Sequence, residues 1–386
     1  MARLVLQIEP VILKYARYCS GYHDIGVVAK KTKLSEEKLR QFEQEKSEIT
    51  LGQLKKLSAL YKMPIAYFLL KKAPADLVVP DAFRIVFASE EEQLSPAVML
   101  AVRSARYAQS VVQELQEQEI KYGFKAVSIK DDPEKVSSYF RSILGVELGK
   151  QKKWSDSGLA LREWKDAVEK MGIFVLQQSL PKDDVSAFCL ADEKPYVMVL
   201  NSSEHENRRI FSLFHEIGHI LLHTSGVCTP HDLSRNSFDY IQIEKFCNQF
   251  AASLLVPAAD FNENEIVKKL SKTNFDEWKV DDIKSLAFLY RVSQEVIYRR
   301  LVQTGVLAEA KYEKKREELL KSFEEYKKRP KKSIPIPQYR KILSKNGRAY
   351  SGLVLENLHS NRITLADAAE YLSTNTRHIA AVETHF

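Results

Sequence analysis

Residues Phe211 to His223 read FSLFHEIGHILLH, and the rest of the chain is organised around this stretch. It contains His-Glu-x-x-His at His215, Glu216 and His219. On a helix, residues four apart stand on one face, so the two imidazoles can share one metal ion. Glu216 then stands beside the ion, placed to take a proton from a bound water, which is the metallopeptidase reading of this motif. Ile210, Phe211, Phe214, Ile217 and Leu221 recur at helical spacing as an apolar stripe, so the helix is expected to be buried. Buried His and Glu groups must be satisfied, by a metal or, alternatively, as a hydrogen-bonded core pair. Gly218 lies between the histidines. Glycine costs a helix interior about 1 kcal/mol against alanine, so a close approach to that backbone is expected.

A catalytic zinc takes three protein ligands and keeps one open position. His223 continues the four-residue spacing, but three such positions span about 12 Å along a helix. Zinc–nitrogen bonds are about 2.1 Å, so His223 reads as a capping residue or a partner behind the ligands. Glu244 is the better third ligand. It lies on a second apolar helix, Tyr240 to Leu255, where an unpaired carboxylate is costly. Asn248, one turn later, is placed to hold that carboxylate or a histidine ring. His231, Asp232 and Asp239 in the intervening loop stay open as other ligands. A tetrahedral oxyanion needs a further donor; His223, His231 and Tyr240 are candidates that nothing in the sequence separates. Glu204, His205 and Glu206 read as solvent-facing.

Upstream, the apolar period changes from 3.6 to 2. Ile173 to Gln178, Val185 to Leu190 and Tyr196 to Asn201 read as three short strands. A small three-stranded sheet directly before the His-Glu-x-x-His helix suits a zincin-like peptidase domain, where an edge strand beside the metal pairs with an extended peptide. Helices are expected at Ser95 to Tyr122, Asp132 to Leu144 and Ser155 to Met171. Downstream, residues 283 to 302 form a helix-turn-helix-like pattern ending in Arg299-Arg300. It reads as a packing subdomain bracing the metal helices, with nucleic-acid contact as the other use. Glu309 to Lys332 is charged, with a basic end from Lys327 to Lys332. A linker at Ile334 to Pro337 leads to a small helical module, Gln338 to Phe386, with a short helix-turn-helix-like unit at Ile363 to His378.

At the other end, residues 1 to 9 read as a strand or arm and Pro10 opens a helix through Ser20. A helix from Asp24, a turn at Thr32 to Leu34 and a helix capped by Ser35 follow. Thr50 caps a further helix, Leu51 to Tyr61, and Ile65 to Leu70 closes the set. These short helices resemble the helix-turn-helix domains of the Cro/phage-repressor, or XRE, class. Lys33 stands where that class has Gly in the turn, and Glu43-Gln44-Glu45 where it has Glu-x-Gly. The segment Ser35 to Glu48 carries five glutamates against Lys38, Arg40 and Lys46. Such charge argues against entry into a DNA groove, so DNA binding stays secondary to a role in binding protein or positioning the catalytic domain. Residues 71 to 94 read as a connection.

The resulting fold class is mainly α (α+β). The expected domains are 1–75, helix-turn-helix-like; 76–130, a connecting helical region; 131–260, the zincin-like domain; 261–308, a helical subdomain; and 309–386, a charged helix, linker and helical module. The chain has 386 residues, a net charge of +7 and four cysteines, Cys19, Cys189, Cys228 and Cys247, in no CxxC pair. This charge permits nucleic-acid contact without arguing for it. The cysteines are expected as free thiols in a reducing cytoplasm. The start, MARLVLQIEP, lacks a signal-peptide core, and no apolar run reaches the ~18 residues of a membrane span. A soluble cytoplasmic protein with no membrane partner is expected.

The segments RRIFSLFHEIGHILLH (Arg208 to His223) and IEKFCNQFAASLLVP (Ile243 to Pro257) resemble the ImmA/IrrE metallopeptidases. Their second motif has Glu, an Ala-Asn pair, Phe-Ala and Leu-x-Pro; here these are Glu244, Cys247-Asn248, Phe250-Ala251 and Leu255-Val256-Pro257. Cys247 replaces the usual Ala. The strand ending Val199-Leu200-Asn201 fits, as does an N-terminal helix-turn-helix domain joined through Tyr61-Lys62-Met63-Pro64. Asp81-Ala82-Phe83-Arg84 resembles the family's Asp-Phe-Arg junction with an inserted Ala. The resemblance spans about residues 10 to 305. It implies helices around a small sheet and zinc-dependent peptide hydrolysis, with His215, His219 and Glu244 as ligands and Glu216 as base. Family members cut a helix-turn-helix repressor, switching on genes for stress responses or mobile elements. The competing class is a DNA-binding regulator, or a toxin or defence-module protein, with a vestigial or structural zinc. A structural zinc has no use for Glu216, which favours the peptidase.

Overall fold

The computed structural model describes residues 4–45, 48–72, 94–181, 184–223, 227–228, 238–327 and 335–386, with side chains except at 227–228, 238–240 and 320–327. The Asp81-Ala82-Phe83-Arg84 junction, His231, Asp232 and most of the basic stretch Lys327 to Lys332 lie outside the described residues. The chain is mainly helical with a small sheet, and it divides into two units, Met1–Arg106 and Tyr107–Phe386.

In the first unit, strand β1 (Val5–Gln7) pairs antiparallel with β2 (Glu48–Thr50). Helix α1 (Pro10–Tyr18) opens on its proline. The Asp24 side chain caps α2 (Ile25–Thr32), Ser35 caps α3 (Glu36–Gln44), and Thr50 with Gln53 forms a capping box on α4 (Leu51–Tyr61). Each cap supplies an acceptor to N–H groups that lack one inside the helix. Ile12, Val28, Leu39, Phe42, Leu54 and Phe68 close the core. Arg17 is buried and ties α1 to α3 through two bonds to the Glu43 carboxylate, at 2.7 and 2.8 Å. One of the acidic residues of α3 is therefore internal. Glu36, Glu37, Lys38 and Arg40 remain exposed. Lys33 ends α2 with φ +58°, the left-handed conformation that glycine adopts at least cost.

Helix α5 (Pro96–Leu115) is shorter than the expected Ser95 to Tyr122. Its apolar period stops at Leu115, before Gln116-Glu117-Gln118-Glu119. Tyr122 instead lies against the Tyr196 ring, at 4.5 Å between centroids, and its hydroxyl accepts from the Tyr196 N–H. Helices α6 (Pro133–Leu144), α7 (Leu148–Lys152) and α8 (Ser157–Glu169) follow.

The three expected strands are present as β3 (Phe174–Gln178), β4 (Ala187–Leu190) and β5 (Val197–Asn201). A two-residue strand, β6 (Val227–Cys228), adds to them from the stretch expected to be only loop. The sheet order is β3-β5-β4-β6, with β3 parallel to β5 and the other pairs antiparallel. Almost every position of β3, β4 and β5 is buried. Strands covered on both faces read as continuous apolar runs, as these do.

Helix α9 (Glu206–Leu221) carries the His-Glu-x-x-His motif and packs against α8, β4 and α10 (Phe238–Leu255). Trp154, Trp164 and Phe214 meet edge to face beneath it. The C-terminal end of α10 is held from three directions. Arg141 of α6 donates to the Leu254 carbonyl at 2.7 Å, and Gln151 of α7 to the Leu255 carbonyl at 3.0 Å. Arg300 of α14 donates to the Val256 carbonyl at 2.7 Å. The last carbonyls of a helix have no partner within it, and cations there also meet the negative end of its dipole.

After α11 (Ala258–Glu263) and α12 (Glu265–Leu270), helices α13 (Val280–Tyr290) and α14 (Gln294–Gln303) form the expected pair. Of the two arginines at its end, Arg300 is internal and Arg299 is partly buried. Arg300 is 1% exposed and also bonds Ser253 and Glu134, and Arg299 pairs with Glu295. The pair braces α10, and both cations are engaged by carboxylates of the same unit. Helix α15 (Glu309–Lys327) precedes a module of four short helices, α16 (Gln338–Asn346), α17 (Arg348–His359), α18 (Leu365–Tyr371) and α19 (Ile379–Thr384). Tyr350, Val354, Leu372 and Val382 are buried within it. Among the described residues, no helix is long and apolar enough to cross a membrane.

Candidate metal centre

His215 and His219 stand one turn apart on α9, both 2% exposed, and Glu216 is fully buried on the same helix. Glu244, on α10, comes to meet the histidines. The donor groups form a small triangle, with one Glu244 oxygen against each histidine. His215 Nε2 lies 3.2 Å from His219 Nε2, Glu244 Oε2 is 3.3 Å from His215 Nε2, and Glu244 Oε1 is 3.2 Å from His219 Nε2. An ion with tetrahedral bonds of about 2.0–2.1 Å keeps its ligands about 3.3 Å apart. The residues therefore fit a metal of that size, and this triad is the one group among the described residues with that geometry. Burial alone would push the Glu244 carboxyl up. When the histidines are protonated, the charge of His215 and the bonds from both imidazoles outweigh it and hold the group well below the usual carboxylate range.

Asn248, one turn beyond Glu244, puts its Oδ1 3.2 Å from His215 Nδ1. A carbonyl oxygen only accepts, so Nδ1 carries the proton and the Nε2 lone pair points at the other donors. His223 lies elsewhere. It is exposed just past the end of α9, at φ +51°, with its Nδ1 3.4 Å from the Tyr196 hydroxyl. Only the backbones of Asp239 and Tyr240 are described, and His231 and Asp232 lie outside the described residues.

The approach expected at Gly218 comes from α10. A Cβ on Gly218 would lie 2.9 Å from Cys247 Sγ and 3.1 Å from Cys247 Cα. Two small residues let the helices cross closely enough for one metal to reach ligands from both. Glu204 differs from the solvent-facing expectation. It is buried, accepts from the Ser186 hydroxyl at 2.9 Å, and pairs with Arg208. His205 caps α9 and Glu206 binds Arg209. The polar run upstream is the anchorage of the metal helix. Sequence reasoning also passed over Arg141 and Gln151, whose only signal was a polar residue within an apolar period.

Residues 168–302 match the Peptidase_M78 family, the IrrE N-terminal-like domain. The match covers the sheet, both helices of the donor triangle and the α13–α14 brace, and it leaves the two ends of the chain outside. This part of the chain is thus similar to a peptidase family in the region that holds the triad. No curated protein matches the chain.

Proposed function

We propose that the protein is a zinc-dependent regulatory endopeptidase whose substrate is a helix-turn-helix transcriptional repressor. The observation that carries the reading is the His215–His219–Glu244 triangle, with edges of zinc dimensions and a buried Glu216 on the same helix. A zinc held there would acidify a water and polarise the scissile carbonyl. The chain's own residues do the rest. Glu216 takes the proton of the attacking water and returns it to the leaving amine. Asn248 keeps the His215 ring in its ligating tautomer. The choice of a repressor as substrate is supported by the two motifs that resemble the ImmA/IrrE metallopeptidases and by the peptidase-family match.

The test compares wild type with Glu216→Gln and Glu244→Ala. Elemental analysis should find zinc in the first two proteins and markedly less in the third. New protein N-termini, within a helix-turn-helix repressor, should appear in cells making wild type and not in cells making Glu216→Gln. A wild type without zinc, or equal cleavage by Glu216→Gln, overturns the reading.

A further inference from the structure

A buried polar seam joins the C-terminal module to β3, outside the metal site. Helix α17 starts at Gly347, which has no side chain to cap it. Glu169, the last residue of α8, does so instead: its Oε2 accepts from the N–H of Arg348 at 3.0 Å and of Ala349 at 3.2 Å. A carboxylate there meets unpaired donors and the positive end of the helix dipole. Gly347 has φ +74°, and a Cβ on it would collide with Glu169 Oε1 and lie 2.6 Å from the Val175 carbonyl oxygen. The module therefore sits against β3, an end strand of the sheet.

Gln177 of β3 faces both ways. Its Nε2 donates to the Ser344 carbonyl at 2.8 Å and to the Ser344 hydroxyl at 3.0 Å, on α16. Its Oε1 accepts from Arg209 at 2.6 Å. Arg209 is buried in the first turn of α9 and also donates to Glu206 at 2.8 Å. An amide has one donor end and one acceptor end. Arg209 only donates and so takes the acceptor end, and Ser344 takes the donor end; the two contacts select the same orientation, and Gln177 is fixed from both sides.

We propose that Gln177 is a positioning residue through which the C-terminal module holds the first turn of α9, and with it His215 and Glu216. The consequence at zinc rests on the peptidase reading; the coupling itself does not. The test perturbs the module from its far side. Gly347→Ala strains a left-handed position and presses on Glu169 and Val175 without touching α9. Hydrogen exchange of the full-length protein, free of metal, reads the result. Amides of Glu206 to Leu213 should open about tenfold more often, the scale of one charge-assisted hydrogen bond lost. Zinc affinity, by chelator competition, should fall several-fold. If the substitution unfolds the module outright, the same α9 readout applies, because release is what the test requires.

Gln177→Glu keeps the Arg209 contact and cuts the donation to Ser344. In that background Gly347→Ala should leave α9 exchange unchanged. Faster exchange confined to residues 338–386 would overturn the proposal, as would an α9 response equally large in the Gln177→Glu background. Failure of the peptidase reading shows separately, as a wild type that binds no zinc while α9 exchange still answers to Gly347→Ala.

Discussion

Gly218→Ala sets two opposed effects against each other at the helix crossing that builds the metal site. Alanine in a helix interior is favoured over glycine by about 1 kcal/mol. The new methyl, however, would lie 2.9 Å from Cys247 Sγ and 3.1 Å from Cys247 Cα and Cβ. The sulfur has room to give only by rotation, and Cα moves only with the backbone of α10. Overpacking of this kind costs about 1–3 kcal/mol, so the net effect should be a loss of about 1 kcal/mol. The larger effect falls on the ligands. Glu244 stands one turn before Cys247, and the donor triangle has edges of 3.2 and 3.3 Å. A shift of a few tenths of an ångström spoils one edge, and zinc affinity should fall at least about tenfold, as for a lost supporting contact. Urea unfolding of metal-free protein, followed by Trp154 and Trp164 fluorescence, measures the first quantity; chelator competition measures the second. Cys247→Ala in the same chain should restore part of both, because Sγ is gone while Cα remains. A Gly218→Ala protein at least as stable as wild type, with unchanged zinc affinity, would refute the reasoning.

Arg300→Met removes the cation that caps α10 and leaves Glu134 and the Val256 carbonyl without it. The Glu134 side chain is 36% exposed and its pairing is screened by solvent, so the main loss is the buried charged donor to the Val256 carbonyl, about 1–3 kcal/mol; urea unfolding checks it, and no measurable loss would mean the cap does not hold the helix. Glu134→Gln should show a pH-dependent deficit. Burial raises the Glu134 carboxyl, but the bond and charge of Arg300 outweigh it and leave the group below its ordinary value. A carboxyl lowered in the folded state stabilises fully above its unfolded value of about 4.3, and that stability is lost as pH falls through the folded value. The gap to wild type should thus be full at neutral pH and close in acid; melts showing a constant gap would contradict it. Lys33→Gly should stabilise the first unit by up to about 1 kcal/mol, since Lys33 is held at φ +58°. Thermal melting by circular dichroism tests this, and a lower melting temperature would show that the Lys33 side chain contributes more than the strain costs.

Periodicity made much of the fold legible. The three strands and the metal helix fall where the apolar period says, because each buries a face or a stripe that the sequence must supply. Proline and side-chain caps marked helix starts at Pro10, Ser35, Thr50 and Pro133. The course of the chain after α5 and the strand β6 were not legible. The end of α5 was signalled by the apolar period stopping at Leu115, but the place of Tyr122 against Tyr196 was not; the strand depends on pairing with Ala187 and Phe188, distant in sequence.

By itself, the sequence determined the chemistry on offer at the centre. The four-residue spacing of His215 and His219 puts two imidazoles on one face by helix geometry alone, and the cost of a glycine between them argued for a close neighbour. It also told that an acid on a second apolar helix would need a partner. Only the tertiary structure decided which neighbour meets Gly218, that Arg300 turns inward to cap α10, and that Glu169 caps a helix whose first residue lies 179 positions later in the chain. These depend on which elements pack together. A side chain's local sequence carries its donors and acceptors, while the packing alone chooses the group that answers them.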